Sequence, residues 1–346
     1  MARLLLKDSA QIARLLRMLC IIICLLGLLA IPEAVLQTRF LHDIPSGLTG
    51  ITYEMQADTR MNMLRAASTF ENPILFGLYC ATFLSLAWYS TFSLGTRLTF
   101  VAGIIMATAL SLSSAPMLLL VMQIALIVAE RMSRNIAIRA PLIVGAIVVA
   151  VIFIETFSNR GVARLIASKL TFNPHTGYYR LLQWEYSIDD VRANPMFGIN
   201  FENWTRPFWL NDSIDNNWLF MAMNSGVPAV ALIFAALGLL AYRLYRRRKI
   251  LRDPMLKSLM LGWIIGMIAL FLGAWTVTLF GKMLPAFFFL MGLGAALLQV
   301  EDITPVKKDP DHDPPPDTSV TRYSRFTPTP GPRGAYRPQS AAFVAA

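Results

Sequence analysis

Charged side chains are scarce in this sequence. Only 15% of its 346 residues are charged, whereas 55% are hydrophobic and the mean hydropathy is +0.53. In soluble domains about a quarter of the residues are charged. Water cannot accommodate that much apolar surface, which excludes a soluble globular fold. The composition therefore predicts an all-α protein that crosses a membrane several times.

Cysteine is also scarce, with three residues in the whole chain. Each of them lies inside an apolar stretch, at Cys20, Cys24 and Cys80. That placement excludes a disulfide framework that staples loops together, and the spacing does not match a metal site. We interpret all three as small hydrophobic side chains.

Ligand patterns for metals are absent as well. His42 and His175 have no partner ligands at a suitable spacing, and the adjacent Asp189 and Asp190 would project from a helix in different directions. We therefore predict no metal and no other cofactor.

Basic residues are in excess, giving a net charge of +10. They mostly flank the apolar runs and do not gather on one folded face, as a nucleic-acid site requires. We predict contact with membrane lipid and no nucleic-acid partner.

About eight apolar runs approach the roughly 20 residues that a membrane-spanning helix needs. They are 15–36, 73–94, 98–112, 115–129, 140–157, 218–242, 259–274 and 284–298. The first could instead be a cleaved signal peptide, but Ile31-Pro32-Glu33-Ala34 is a poor cleavage site, so we predict an uncleaved anchor. Ser113-Ser114-Ala115-Pro116 indicates either a turn between helices or a kink within one. Lys282, between the last two runs, likewise indicates either a turn between two helices or a kink within one.

The distribution of lysine and arginine predicts the orientation. With the N-terminus inside, 21 of these residues fall on the inner side and 10 on the outer side. The positive-inside rule then places both termini in the cytoplasm. We interpret the dense cluster from Arg243 to Lys249 as a topology anchor.

Two outer segments, 37–72 and 158–217, are much longer than ordinary helix connections and are therefore candidates for function. The first 300 residues form the predicted membrane domain. The tail, 301–346, is rich in proline and polar residues, and we predict that it is disordered and cytoplasmic.

The second outer segment combines cations, carboxylates and tryptophans. Arginine suits phosphate and aromatic faces suit sugar C–H surfaces, although tryptophan also gathers at membrane interfaces for other reasons. The candidate substrate-binding residues here are Arg180, Trp184, Arg206 and Trp209. Apolar residues recur at helical spacing over 178–193, which predicts an amphipathic helix near the membrane surface.

Several short motifs resemble one protein family. In order, they are Glu71-Asn72-Pro73 after Arg65, Ser113-Ser114-Ala115-Pro116, Arg180 with Trp184, Asn194-Pro195-Met196-Phe197-Gly198, Asp215-Asn216, Leu219 and Gly226. This set resembles the O-antigen ligase and polysaccharide polymerase family of bacterial membrane glycosyltransferases. The resemblance covers most of 65–298, and it implies an inner-membrane protein whose two long outer loops are periplasmic.

The resemblance also implies an activity. Family members join sugars carried on a polyprenyl diphosphate lipid, without a nucleotide sugar. Ligases of the family carry His-Asn where this chain has Asp215-Asn216, which favours a polymerase of exopolysaccharide or O-antigen repeat units. The alternatives are a ligase that transfers glycan to lipid A core, a transporter of the lipid-linked glycan and a non-catalytic assembly scaffold. Flippase and chain-length regulator proteins are the expected partners.

Transfer from a lipid diphosphate needs charge stabilisation on the leaving group and a base for the acceptor hydroxyl. Arginine suits the first role because it stays charged and binds phosphate oxygens as a fork. We predict Arg180, then Arg65, for that role and Asp215 as the base, with Asn216 beside it. His175 is the alternative base, and Asp215 could instead cap the following helix.

Overall fold

The computed structural model describes residues 8–51, 59–60, 62–90, 92–133 and 174–300, with side chains from 178 onwards in the last range. This part of the chain is mostly helical. The helices are α1 (Ser9–Leu36), α2 (Phe40–Thr49), α3 (Pro73–Thr82), α4 (Leu84–Tyr89), α5 (Leu94–Leu110), α6 (Ser114–Met132), α7 (Pro174–Ala193), α8 (Asn217–Ile250), α9 (Pro254–Gly273) and α10 (Met283–Leu297). A two-stranded antiparallel pair joins β1 (Thr59–Arg60) to β2 (Met63–Leu64).

Four of these helices are long and apolar enough to cross a membrane, namely α1, α6, α8 and α9. They match the first, fourth, sixth and seventh predicted runs. The second, third and eighth runs correspond to the shorter apolar stretches Pro73–Tyr89, Leu94–Leu110 and Met283–Leu297. The fifth run, 140–157, lies outside the described residues, as does the tail 301–346.

Local sequence signals set several helix starts. Asn72 caps α3 by accepting from Ile74 N at 2.8 Å, with Pro73 at the first helical position. Asp253 and Pro254 begin α9 in the same way. In both pairs the first residue caps the helix with its side chain. The proline that follows lacks a backbone N–H, and this costs nothing there because an N–H in the first turn has no partner within the helix. The chain turns between α5 and α6 at residues 111–113, and Ser114-Ala115-Pro116 begin α6, so this motif marks a break between two helices and not a kink within one.

Small residues allow α1 and α5 to pack closely. A Cβ on Gly27 would lie 2.9 Å from the Cβ of Ala107, and one on Gly103 would lie 2.5 Å from Cys24 Sγ. Close backbone approach through small residues is a common way for helices to associate in membranes. Cys24 therefore serves as a packing residue, as the sequence predicts.

The short break between α3 and α4 is bridged by a side chain from α6. Gln123 is fully buried, donates to Ala81 O at 2.7 Å and accepts from Ser85 N at 3.0 Å. Backbone groups released by a helix break in an apolar interior are costly unless they find partners. Gln123 supplies those partners.

Contacts between distant segments are grouped near the two ends of the helices. At one end of the helices, Glu33 accepts from Ser68 N at 2.8 Å, and Asn217 N donates to Ala274 O at 2.9 Å. At the other end, Glu130 accepts from Tyr89 Oη at 3.1 Å and lies 3.7 Å from Arg248. Each end of this helical unit, residues 8–300 as far as they are described, is thus held by contacts among its own helix ends and connecting segments.

Candidate functional site

Arg180 and Asp215 form the ion pair at the centre of the candidate site. Arg180 lies on α7 and Asp215 immediately before the cap of α8, and Arg180 Nε is 3.2 Å from Asp215 Oδ2. The arginine side chain is 16% exposed and the aspartate side chain 39% exposed. A cation and a carboxylate proposed for one reaction therefore lie together, with the carboxylate the more open to solvent.

Gln183 holds the backbone around Asp215. Its amide donates to Ser213 O at 2.7 Å and accepts from Asp215 N at 3.1 Å. Gln183 is 4% exposed and lies one turn after Arg180 on α7, so the two side chains share a face of the helix. The same helix thus fixes both the backbone of Asp215 and its charge partner.

Asn216, and not Asp215, caps α8. Its side-chain oxygen accepts from Trp218 N at 3.0 Å and from Leu219 N at 3.1 Å. The alternative reading of Asp215 as a helix cap is therefore wrong, because the next residue performs that role. The carboxylate of Asp215 points instead to Arg180, and substrate binding by Asn216 stays a prediction.

The loop between α9 and α10, residues 274–282, supports the segment that carries Asp215. Thr278 Oγ1 donates to Ile214 O, and Asn217 Oδ1 accepts from Leu279 N at 3.0 Å. The rings of Trp184 and Trp275 lie 6.0 Å apart between centroids. We call residues 274–282 the α9–α10 loop.

The far end of the α9–α10 loop contacts the first long segment. Lys282 Nζ lies 3.7 Å from Glu71 Oε1 and donates to Thr69 O. Gly281 has a φ of +52°, and a Cβ there would lie 2.7 Å from Glu71 Oε2. Glu71 and the two residues that flank Asp215-Asn216, far apart in the sequence, are therefore tied to one loop.

Arg65 supports the turn between α5 and α6. It is 6% exposed, and its guanidinium donates to Ser111 O at 3.3 Å and to Ser113 Oγ at 2.6 Å. These contacts give Arg65 a structural role at that turn. Its predicted role in substrate binding stays a prediction.

The other predicted binding residues lie around the α7 surface. Trp209 is 47% exposed and meets Tyr186 edge to face at 5.9 Å, while Trp184 is 38% exposed. Arg206 donates to Leu210 O, and its guanidinium carbon lies 5.8 Å from the centre of the Trp204 ring. Trp184 and Trp209 thus offer open aromatic surface, whereas Arg206 is engaged by its own loop.

Two motif glycines have a structural explanation. Gly198 and Gly226 have φ values of +73° and +82°, and a Cβ on either would collide with the backbone of the other segment. Ile199 N donates to Met223 O and Val227 N donates to Pro195 O, both at 2.8 Å. The bend of α8 at Gly226 and the turn at 195–199 therefore fit together by direct backbone approach.

Within the residues described, no group of three or more His, Cys, Asp or Glu side chains could hold a metal ion. Asp189 pairs with Arg192 on the same helix at 3.2 Å, and Asp190 accepts from Thr205 N at 2.9 Å. Both carboxylates therefore serve local contacts. The side chain of His175 lies outside the described residues.

Sequence reasoning assigned no role in the site to Gln183, Trp275, Thr278 or the Glu71–Lys282 pair. Their importance comes from contacts between distant segments, which no local pattern reveals. Lys282 gave a signal as a single cation between two apolar runs, and Glu71 gave one as part of the Glu71-Asn72-Pro73 motif.

A search against models of known protein families found no match, and no curated protein sequence matched the chain.

Proposed function

We propose that this chain is a bacterial inner-membrane polysaccharide polymerase that extends glycans carried on a polyprenyl diphosphate. The observation that carries the proposal is the Arg180–Asp215 pair at 3.2 Å, held where the chain enters the long apolar helix α8. A site for a lipid-borne sugar needs a cation for phosphate, a base for a hydroxyl and a position at the membrane surface. The pair supplies the first two, and we place it at the membrane surface because α8 begins two residues after Asp215.

The reaction requires one bond to form as another breaks. The acceptor hydroxyl oxygen attacks the anomeric carbon, and the bond from that carbon to the diphosphate oxygen breaks with its electron pair leaving on the diphosphate. Asp215 accepts the hydroxyl proton. Attack opposite the leaving group inverts the anomeric centre.

Arg180 stabilises the charge that develops on the diphosphate. Its ion pair with Asp215 uses Nε, which among the described residues leaves the four N–H groups of the two terminal nitrogens for phosphate oxygens. A planar fork of this kind matches phosphate geometry. Trp184 and Trp209, both partly exposed, provide flat surfaces for the sugars.

The proposal includes a topology. We place the candidate site on the periplasmic side, with about eight spans and both termini in the cytoplasm, because the 21 to 10 split of lysine and arginine favours that orientation. The grouping of contacts near the two ends of the helical unit supports it. The tail 301–346 is proposed to be a disordered cytoplasmic segment.

Purified protein in liposomes, supplied with lipid-linked repeat units, tests the function. A ladder of products that grow by one repeat unit is the expected result. Single transfer to added lipid A core would identify a ligase. Movement of the lipid-linked unit across the bilayer without a new glycosidic bond would identify a transporter, and either outcome would overturn the proposal.

A further inference from the structure

A groove of about 490 Å³ runs along the outside of the helical unit, between α1, α3 and α10. One wall is a stripe of α1 made by Leu15, Leu19, Ile22 and Leu26. These residues share one face and extend over about 16 Å of helix at 1.5 Å per residue. Phe289 on α10 lies on the opposite wall. The volume falls within the roughly 300–1,000 Å³ typical of ligand sites.

The groove has one charged end. Lys282, which is 51% exposed, lines it there together with Thr69 and Phe70. Its ammonium contacts Glu71 Oε1 at 3.7 Å, donates to Thr69 O and lies 5.4 Å from the centre of the Phe70 ring. An ammonium has three donors, and Glu71, at 27% exposed, is the less open partner. An anion can therefore approach the lysine from the open side.

The charged end and the apolar wall follow one another along the axis of α1. Lys282 immediately precedes α10, near the end of the helical unit at which α1 finishes and Glu33 meets Ser68. From there the apolar stripe runs back along α1 from Leu26 to Leu15. The hydrocarbon chains of a bilayer can fill such an apolar groove. The ammonium of Lys282 favours a ligand with an anionic head. The matching ligand is an amphiphile with a phosphate head and a long apolar chain.

We propose that this groove holds the isoprenoid chain of the lipid donor, with its diphosphate against Lys282. The inference rests on the proposed function, since that function supplies the lipid. Lys282 lies three positions after Leu279, which limits their Cα distance to at most about 11 Å. Leu279 N donates to Asn217, two residues after Asp215. The lysine and the segment that carries Asp215 are thus tied to the same short loop.

A second groove provides a built-in comparison. It has a volume of about 260 Å³ and lies between α8 and α9, where residues such as Phe234, Gly238 and Met267 form its walls. All of its lining residues are apolar, so it offers nothing to a diphosphate. A ligand that requires both a chain and a charge should prefer the first groove.

Photolabelling locates the chain. The probe is farnesyl diphosphate with a diazirine at the chain terminus, added to the full-length protein in nanodiscs and mapped by mass spectrometry. Label on the α1 stripe or on Phe289 is the expected result. Label in the α8–α9 groove, or labelling abolished by an equal concentration of phosphatidylglycerol, would overturn the inference.

Variants test the charge and the wall separately. Lys282→Gln should weaken binding of the diphosphate probe about ten-fold and leave binding of the corresponding alcohol unchanged, whereas Lys257→Gln should change neither. Ile22→Trp, which fills the groove at a residue 46% exposed, should weaken both ligands, and Gly238→Trp in the second groove should weaken neither. If Lys282→Gln weakens binding of the diphosphate probe and of the alcohol equally, the role of the lysine charge is contradicted. If Lys282→Gln does not fold, the Ile22→Trp and Gly238→Trp pair still decides the question.

The result for the groove can be distinguished from the result for the proposed polymerase activity. A protein that makes the ladder but carries no label in the groove retains its function and loses this inference. A protein labelled in the groove that makes no polymer retains the groove and loses the proposed function.

Discussion

Arg180 and Asp215, 35 positions apart in the sequence, lie with Nε and Oδ2 3.2 Å from each other. The pair is partly open to solvent through Asp215, which is 39% exposed, and exposed ion pairs contribute only about 0–1 kcal/mol to folding. Folding stability therefore explains little of why these two charges lie together. The proposed reaction explains it better, because it needs a cation for phosphate and a base beside that cation.

Arg180→Lys should lower kcat/KM for the lipid donor roughly 10- to 100-fold, because a charge-assisted contact worth about 1.5–3 kcal/mol is lost when the planar fork is replaced. The matched control is Arg192→Lys on the same helix, where the arginine is 73% exposed and pairs only with its helix neighbour Asp189 among the described residues. That variant should keep wild-type kinetics. Equal kinetics for both variants would remove the phosphate role of Arg180.

Gly226→Ala should destabilise the protein by about 1–3 kcal/mol, since a φ of +82° is strained for alanine and its Cβ would collide with Met196 O. Gly238→Ala is the control within the same helix, because a Cβ there meets no atom within 4 Å. It should be neutral or stabilising by about 0.5–1 kcal/mol. Thermal unfolding in detergent, followed by the fraction that remains monodisperse, measures both. A Gly226→Ala protein as stable as wild type would contradict the close approach to residues 195–199.

His42 should make stability depend on pH. Burial lowers its pKa, the positive charges of Arg39 and Lys282 add to the effect, and a hydrogen bond with the Phe70 backbone and the nearby Asp43 oppose it. Below about pH 6.5 the unfolded chain therefore binds a proton that the folded chain resists, and acid favours unfolding.

The measurement for His42 is the stability difference between wild type and His42→Gln from pH 7.5 to 5.5. The wild type should lose stability relative to the variant as the pH falls. Parallel curves would show that His42 titrates in the folded protein as it does in the unfolded chain.

A cysteine placed at Asn211 should react with a membrane-impermeant maleimide added to intact cells, and one placed at Lys249 should not. Both positions are exposed, so access depends on the side of the membrane. The native Cys20, Cys24 and Cys80 are replaced first. Labelling at Lys249 alone would show that the proposed topology is inverted and that the candidate site lies on the cytoplasmic side.

Much of the helical framework could be predicted because its signals are local. The apolar run of α1, the Asn72-Pro73 start of α3 and the turn at Ser113 are each readable within a few residues. The amphipathic pattern over 178–193 likewise corresponds to α7. The bend at Gly226 was not predicted, since it depends on the approach of residues 195–199 from another segment.

The support of the site could not be predicted for the same reason. Thr278 meets Ile214 across 64 positions and Lys282 meets Thr69 across 213. Nothing in either local sequence specifies the partner. The cap of α8 shows a finer difficulty, because Asp215 and Asn216 are both good caps and only the direction of each side chain distinguishes them.

The most direct test is the rate of ladder formation by Asp215→Asn, compared with wild type and with Asp212→Asn, an exposed residue of the same loop. Since Asn216 caps α8, the Asp215→Asn protein should fold and insert normally. Its rate should fall by roughly two to four orders of magnitude because the base is gone, while Asp212→Asn keeps the wild-type rate. If Asp215→Asn makes polymer at close to the wild-type rate, Asp215 is not the base and the account of the site is wrong.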